Sequence, residues 1–435
     1  MSMAKQNHLT RRHFLAAAST ATFTAPFLLP ARIWGAAADA KPNARLTMGF
    51  IGTGTQGRHL LNSFLPHSTV QVVAVCDVDT TRREHHKKIA EGFYATKADQ
   101  QFKGCAAYDD FRELLQRKDI DTVVIATPDH WHAFAVVMAA NQGKDIYCEK
   151  PLSLTIHEAR AMVKAVRKNK RVFQTGSMQR SSGEFHKACT LVRNGRIGDI
   201  KEVYVSVGGP SRWCDLPGEP VEPGLDWDRW LGPAPLRAYH HELSPRGVHT
   251  HFPNWRSYRE YSGGGMTDWG AHHFDIAQWG LGMDESGPVE ILPPDGKEIK
   301  RLTYRYANGV VMYHGGLEGY NFGVVFVGTQ GKICVDRGKF KAEPEEIGNE
   351  DLSKMEVKLY KSNNHYKDFV DCVRSRQRPI CDVETGCRSV TVCHLGNLTY
   401  WNKRPLKWDP AKEQFIGDPQ ANSWLDVPKR GGWKV

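Results

Sequence analysis

Much that would tie a chain to one class of function is missing from this one. Beyond residue 40 no stretch has the roughly 20 consecutive apolar residues needed to cross a bilayer, so no membrane-spanning helix is expected there. Internal repeats and low-complexity tracts are absent too, which excludes solenoids and leaves no segment that composition marks as disordered. No block of Lys and Arg and no nucleic-acid recognition motif occurs. Of the formal net charge of +10, Lys5, Arg11, Arg12 and Arg32 against Asp39 account for +3 within the first 40 residues, and the rest is spread thinly. Nucleic acid is therefore not expected as a partner. The ten cysteines lack paired spacing: Cys76, Cys105, Cys148 and Cys189 fall in apolar strand-like or helical stretches, and Cys372, Cys381, Cys387 and Cys393 match no zinc pattern. Buried thiols are expected rather than disulfides.

What is present describes an ordinary globular protein: 435 residues, 40% hydrophobic and 24% charged, enough for two domains with separate cores. The chain opens with Arg11-Arg12-His13-Phe14-Leu15, a modestly apolar run to Pro30 that is too short to span a bilayer, and Ala38-Asp39-Ala40. A basic pair, an apolar run and a small-residue cleavage site in that order read as a twin-arginine export signal over residues 1–40, cut before Lys41. A periplasmic or otherwise exported protein is expected, with no membrane attachment once the signal is removed. Such a protein folds before it is exported and has no need of oxidative folding.

From Leu46 a short apolar strand runs straight into Gly52-Thr53-Gly54-Thr55-Gln56-Gly57, a helical stretch to about Leu65, and a second strand, Val70 to Cys76, ending on Asp77. This is a complete dinucleotide-binding unit with an acid 20 residues past the third glycine. Gly52 makes the turn, Gly54 lets backbone approach a pyrophosphate, and Gly57 lets helix pack on strand, with the helix N-terminus facing the phosphates. Asp77, placed to accept the adenosine ribose hydroxyls, favours NAD over NADP; Arg82 and Arg83 are read as exposed helix residues rather than as a 2′-phosphate site. The sheet continues with Asp121–Thr127, then Pro128-Asp129-His130-Trp131-His132 and a helix from about Ala133 to Gln142, and a strand Asp145–Cys148 leads into Glu149-Lys150-Pro151. Ligands of open parallel sheets lie beyond the carboxyl ends of the strands. The cofactor contacts expected are therefore Gly52, Gly54, Thr55, Gln56, Gly57, Asp77, Thr127, Pro128, His132, Glu149 and Lys150.

From Ile197 the texture changes to short strand-like runs broken by Gly and Pro. Within it Asp268 and His272 lie four apart, and Asp275 continues their face if one helix starts near Thr267. A carboxylate and an imidazole so placed can share a substrate hydroxyl: hydride leaves the carbinol carbon, His272 takes the proton, and Lys150 stabilises the developing alkoxide. The alternative is that Asp268 only caps the helix and His272 fills a polar core position. His249 and His251 would share one side of a strand as a metal pair, but no third ligand is placed for them, and no metal is expected. The Pro253-Asn254-Trp255-Arg256 loop carries sugar-binding groups, and Trp213, Trp227, Trp230, Trp255 and Trp269 are candidates to stack on sugar faces or to fill core.

In this order, Gly52-Gly54-Gly57, Asp77, Thr127-Pro128, Glu149-Lys150-Pro151 and Asp268-x-x-x-His272 resemble the Gfo/Idh/MocA family, the group of glucose-fructose oxidoreductase and inositol 2-dehydrogenase. The resemblance covers nearly all of the chain from about Arg45. Its tail segments His365–Arg374, Val392–Asn397 and Leu406–Asp409 look like those of an exported bacterial subgroup. The resemblance implies an α/β protein: an N-terminal Rossmann domain, a doubly wound parallel sheet here at 41–175, joined to a C-terminal α/β domain at 176–435 built on a large, open, mostly antiparallel sheet that mediates homodimer or homotetramer contacts. It implies Lys150, Asp268 and His272 as the catalytic trio, a Lys150-Pro151 peptide that is often cis, and a sugar, glycoside or polyol substrate contacted by Lys150, Trp255, Arg256, Asp268, His272 and His273. Which of His272 and His273 faces the substrate is left open.

Outside the cytoplasm no NAD pool reloads a released cofactor, so export and the fingerprint together lead to a tightly held, internally recycled NAD. Oxidation of one sugar coupled to reduction of another fits. So does transient oxidation of a glycoside followed by elimination and hydration, a glycosidase in net effect, and so does a dehydrogenase passing electrons to an outside acceptor. A non-catalytic sugar-binding protein is the remaining alternative, and the intact trio argues against it.

Overall fold

The structure, a computed structural model, describes residues 45–96, 104–320 and 323–435. The segment read as an export signal lies outside the described residues. The first layer is a six-stranded sheet in the order β3-β2-β1-β4-β5-β6, parallel throughout. Its strands are β1 (Leu46–Ile51), β2 (Val70–Cys76), β3 (Ala106–Tyr108), β4 (Thr122–Ile125), β5 (Asp145–Cys148) and β6 (Phe173–Thr175). Every residue of β4 and β5 is buried, as a parallel strand covered on both faces requires. The crossovers are α1 (Thr55–Phe64), α2 (Thr80–Ala95), α3 (Phe111–Gln116), α4 (Asp129–Asn141) and α5 (Ile156–Lys168). Helix α1 turns Leu60, Leu61 and Phe64 into the core. Helix α4 starts a full turn earlier than the sequence pattern suggested: Pro128 takes the N-cap position with φ −59°, and Asp129 enters the first turn, where the helix dipole favours an acid.

The second layer is a nine-stranded sheet, β13-β12-β11-β7-β10-β9-β8-β14-β15, antiparallel except where β7 pairs with β10. Its strands are β7 (Ile200–Val205), β8 (Glu290–Leu292), β9 (Thr303–Arg305), β10 (Val311–His314), β11 (Val324–Gly328), β12 (Lys332–Asp336), β13 (Lys339–Glu343), β14 (Leu406–Asp409) and β15 (Gln414–Phe415). Further helices are α6 (Gly183–Arg193), α7 (Trp227–Leu231), α8 (Gly265–Asp268), α9 (Gly270–Leu281), α10 (His365–Ser375) and α11 (Val383–Asn402). Residues Phe185, Phe274 and Trp279 from α6 and α9 and Val392 from α11 share one buried cluster with Val203, Tyr304, Met312 and Phe326 of the sheet. The opposite face carries Glu202, Tyr204, Val311, Tyr313 and Val327, all half-buried. The two layers are knitted together, because Phe369 and Val370 of α10 pack with Met48, Phe50 and Tyr147 of the parallel sheet and with Phe64 of α1.

All ten cysteines are free thiols, nine of them buried. Asp275 does not extend the Asp268–His272 face into the site. It is fully buried, accepts two 2.8 Å bonds from Arg180 and one of 2.7 Å from Ser389, and Arg180 also pairs with Asp284 at 2.7 Å. A buried guanidinium needs such neutralisation, and that is the role of Asp275.

Candidate active site

One long cleft, about 1800 Å³ with its open mouth included, runs along the carboxyl ends of the parallel strands and over the front of α9. At its middle is the glycine loop. Gly52 has φ +90°, and a Cβ there would meet the Ala126 carbonyl at 2.6 Å; a Cβ on Gly57 would lie 2.2 Å from the Gly52 carbonyl oxygen. By contrast, a Cβ on Gly54 would meet nothing within 4 Å, so the space over this residue is open to the cleft. Asp77 lines the cleft and braces the loop: one carboxylate oxygen accepts from Thr53 N (2.7 Å) and Thr53 Oγ1 (2.9 Å), the other from Asp79 N (2.9 Å). Thr55 lines the cleft and donates from Oγ1 to the His251 carbonyl at 2.8 Å, while Gln56 donates to Glu149 Oε1 at 2.8 Å. Arg82 is not an exposed helix residue; it is buried and bonds Ser244 and the carbonyls of Pro245 and Gly247, and Arg83 bonds the Asp77 carbonyl.

Thr127, Pro128, Glu149 and Lys150 line the cleft beyond the loop. His132 does not. Helix α4 starts early enough to turn its ring inward, and its two nitrogens face the carbonyls of Pro151 (2.8 Å) and Thr127 (2.9 Å), so it holds the cleft wall from behind. The Lys150-Pro151 peptide is cis. Burial pushes the Glu149 carboxyl up, against the pull of Lys150 and the Gln56 bond.

Lys150 Nζ lies 2.6 Å from Asp268 Oδ1 and 2.9 Å from the Asp268 carbonyl, leaving one of its three protons for the cleft. Asp268 caps nothing: the N-cap of α8 is Gly264 and that of α9 is Trp269, neither with a side-chain cap. The chain breaks into two helices at Trp269, but that residue stays right-handed (φ −88°, ψ −29°), so Asp268 and His272 still reach the same cleft. Burial opposes ionisation of Asp268, but Lys150 and Arg256 prevail and hold its pKa below the usual range. Burial, reinforced by Lys150 and Arg337, pushes His272 well below its ordinary value, so its ring is neutral. His272 lines the cleft, and its buried Nδ1 has no partner. His273 points away, toward the Ser206 carbonyl (3.3 Å) and Asp336 (3.6 Å), so His272 is the imidazole that faces the substrate region.

Arg256 lines the cleft with Nε 3.9 Å from Asp268 Oδ1, its guanidinium over the rings of Trp255 (4.3 Å) and Phe252 (4.9 Å). Trp230, Trp255 and Trp269 line the cleft; Trp227 stacks behind Trp230 at 4.6 Å, and Trp213 is exposed elsewhere. The rings of His249 and His251 lie 4.6 Å apart, and His249 Nδ1 faces the His251 carbonyl at 2.9 Å. Among the described residues the one cluster close enough to share an ion is Glu219, His240 and His241, none of which lines the cleft. There Glu242 N donates to His240 Nδ1 at 3.1 Å, and His240 Nε2 faces Glu219 Oε1 at 3.3 Å.

Three of the cleft residues that sequence reasoning missed bear on its chemistry. Asp129, buried and bonded by Ser262 Oγ at 2.6 Å, has a pKa pushed up to about 7 by burial. Arg337, in the β12–β13 turn, stacks over Trp269 at 4.8 Å, and Trp433 comes from the C-terminal tail. Only the Asp336-Arg337-Gly338 turn signal hints at the second, and no pattern announces the others.

Two family models cover the chain from residue 46 to its end: "Oxidoreductase family, NAD-binding Rossmann fold" matches residues 46–177, and "Oxidoreductase family, C-terminal alpha/beta domain" matches 175–435, both of the Gfo/Idh/MocA group. An inositol 2-dehydrogenase of Salmonella typhimurium is 33% identical over 161 residues, 37% of this chain and 45% of that protein. A glycosyl hydrolase family 109 protein of Solibacter usitatus is 33% identical over 197 residues, 40% of this chain and 42% of that protein. The chain thus matches less than half the length of these curated relatives. Among solved structures, the WlbA dehydrogenase of Bordetella pertussis, in complex with NADH and UDP-GlcNAcA, aligns with TM-score 0.57 at 15% identity, covering 85% of this chain and 99% of that one, a likeness of fold.

Proposed function

The chain belongs to the Gfo/Idh/MocA oxidoreductase family, and we propose that it oxidises a secondary hydroxyl of a sugar, glycoside or polyol with a tightly held NAD. The observation that carries this reading is the Lys150–Asp268 pair at 2.6 Å beside the neutral His272, in the same cleft as the glycine loop. The residues present fit the dinucleotide: the space over Gly54 is open for a pyrophosphate, and the buried Thr127 Oγ1 stands without a partner in the cleft. When bound, NAD supplies the hydride-accepting carbon. The third proton of Lys150 donates to the substrate oxygen and stabilises its negative charge as the hydroxyl proton leaves. Asp268 holds the ammonium in that position, and His272, kept neutral by burial, takes the proton. Trp255 and Trp269 offer aromatic faces to the sugar, and Arg256 and Arg337 offer donors at the mouth.

A redox-neutral glycosidase is the second reading, favoured by the similarity to the glycosyl hydrolase family 109 protein. It uses the same trio. Export through the twin-arginine route, with residues 1–40 removed and 41–175 and 176–435 as the two domains, is supported by Arg11-Arg12 and Ala38-Asp39-Ala40. The half-buried outer face of the nine-stranded sheet supports a homo-oligomer. To test the central reading, the chain is purified without added nucleotide, dialysed and denatured, and the released cofactor is identified by absorbance and mass spectrometry. About one NAD(H) per chain is expected for a retained cofactor, and a chain that neither carries nor binds NAD would overturn the proposal.

A further inference from the structure

The cleft does not end at the glycine loop. Past Asp77 and Val78 it continues between Asp109–Arg112 and Arg229 to a wall made by Trp131 and Trp433. Trp433 is the third residue from the end of the sequence, some 300 positions beyond the helix it packs against. We propose that the C-terminal segment Arg430–Val435 is part of the nucleotide site, with Trp433 and Arg112 closing over the adenosine end. This rests on the NAD reading above and adds residues to it that the fingerprint does not contain.

Three observations carry the proposal. First, the segment is clamped where it turns into the cleft. Arg430 N donates to the Pro233 carbonyl at 2.9 Å, Nε to the carbonyls of Gly232 (3.1 Å) and Ala234 (3.2 Å), and the guanidinium pairs with Asp228 at 2.6 Å. The neighbouring Lys429 reaches the fully buried Glu158 at 2.5 Å and Asp426 at 2.9 Å. Second, Gly431 (φ +65°) and Gly432 (φ +74°) both take the left-handed conformation that only glycine adopts without cost, and this turn delivers Trp433 to the cleft. Third, Trp433 meets Trp131 edge-to-face at 4.9 Å and Phe134 at 5.6 Å, and still lines the cleft. Arg112 donates to both carboxylate oxygens of Asp110 and places its guanidinium 5.7 Å from the Trp433 ring.

A half-exposed indole beside a guanidinium paired with Asp110, at the end of the cleft where Asp77 marks the ribose, is a stacking wall for a purine. Base–aromatic stacking is sequence-tolerant and substantial, and cation–π contact adds to it. The wall covers the end of the nucleotide that the glycine loop leaves uncovered.

The test compares the full chain with Trp433→Ala, Trp433→Phe and Arg112→Ala, each stripped of nucleotide, using NAD⁺ and nicotinamide mononucleotide as probes. Trp433→Ala and Arg112→Ala should weaken NAD⁺ binding by about 10-fold or more and speed its release. Trp433→Phe should restore most of it, and nicotinamide mononucleotide, which lacks the adenosine, should bind all four proteins alike. Arg112 lies on a separate element, so its result stands even if Trp433→Ala does not fold. Unchanged NAD⁺ affinity and release in Trp433→Ala and Arg112→Ala, or equal loss for both probes, would overturn the proposal while leaving the NAD reading intact. A wild-type chain that binds no NAD⁺ would overturn that reading itself.

Discussion

Gly54 and Gly57, three residues apart in the fingerprint, should fail in opposite ways when each is given one methyl group. A Cβ on Gly57 would sit 2.2 Å from the Gly52 carbonyl oxygen and 3.1 Å from its carbon. That neighbour is backbone and cannot rotate away, so helix α1 must shift off β1. Overpacking of this kind costs about 1–3 kcal/mol, and a rigid neighbour argues for the upper end. For a domain of this size that lowers the melting temperature by roughly 6–12 °C. Gly54 has φ −71° and open space around its Cβ, so Gly54→Ala should leave the nucleotide-free protein as stable as wild type, or up to about 1 kcal/mol more stable through the unfolded state. Its methyl stands where a pyrophosphate must approach the backbone, and a clash of about 1–3 kcal/mol there weakens NAD binding roughly 5- to 150-fold. Differential scanning calorimetry of the stripped proteins and titration calorimetry with NAD⁺ separate the two effects. Wild-type affinity in Gly54→Ala, or a wild-type melting temperature in Gly57→Ala, would refute the reasoning.

Other substitutions test other parts of the account. Lys150→Ala and His272→Ala should each cut turnover by about 10²- to 10⁴-fold while the NAD content per chain stays at the wild-type level, since neither faces the pyrophosphate. Asp275→Ala should cost about 3–5 kcal/mol in chemical denaturation by leaving Arg180 short of a buried partner, with nucleotide content per folded chain unchanged; a stable but inactive variant would restore Asp275 to the site. Burial pushes His86, His132, His365 and His394 down to about 4 and His130 to about 3. The unfolded chain takes up those protons near pH 6.5 and the folded chain does not, so their contribution to stability is complete above 6.5 and is lost as pH falls toward 4, by at most about 1.4 kcal/mol per group per pH unit. Melting temperatures measured from pH 7.5 to 5 should therefore fall, and a flat profile would contradict the buried, neutral assignment.

The local parts of this molecule were legible in its sequence and the long-range parts were not. From Leu46 to Asp77 every feature of the nucleotide unit depends on neighbours in the chain, so strand, turn, helix and acid could be read directly, and β5 emerged at Asp145–Cys148 as the apolar run indicated. Lys150, Asp268 and His272 were brought together as expected, although the pattern could not reveal the break at Trp269 that leaves Asp268 free to hold Lys150. His132 was misread because its partners, the carbonyls of Thr127 and Pro151, are set by where α4 begins. Asp275 was misread because its partner Arg180 lies 95 residues away. The nine-stranded sheet rests on strands of two to six residues whose alternation is too brief to read alone, and it was expected only through the family resemblance. Arg337 and Trp433 reach the cleft from a hairpin turn and a tail, and no local pattern places either there.

The most direct measurement is a single-turnover experiment on the NAD⁺-loaded chain, mixing it with a panel of glycosides, free sugars and polyols and following the near-ultraviolet absorbance of reduced nicotinamide. The account predicts that at least one compound produces a rapid rise of up to one reduced cofactor per site in the wild type and none in His272→Ala, although the variant still holds its NAD⁺. An equal rise in both proteins, or a loaded wild type that stays silent to every secondary alcohol offered, would contradict it.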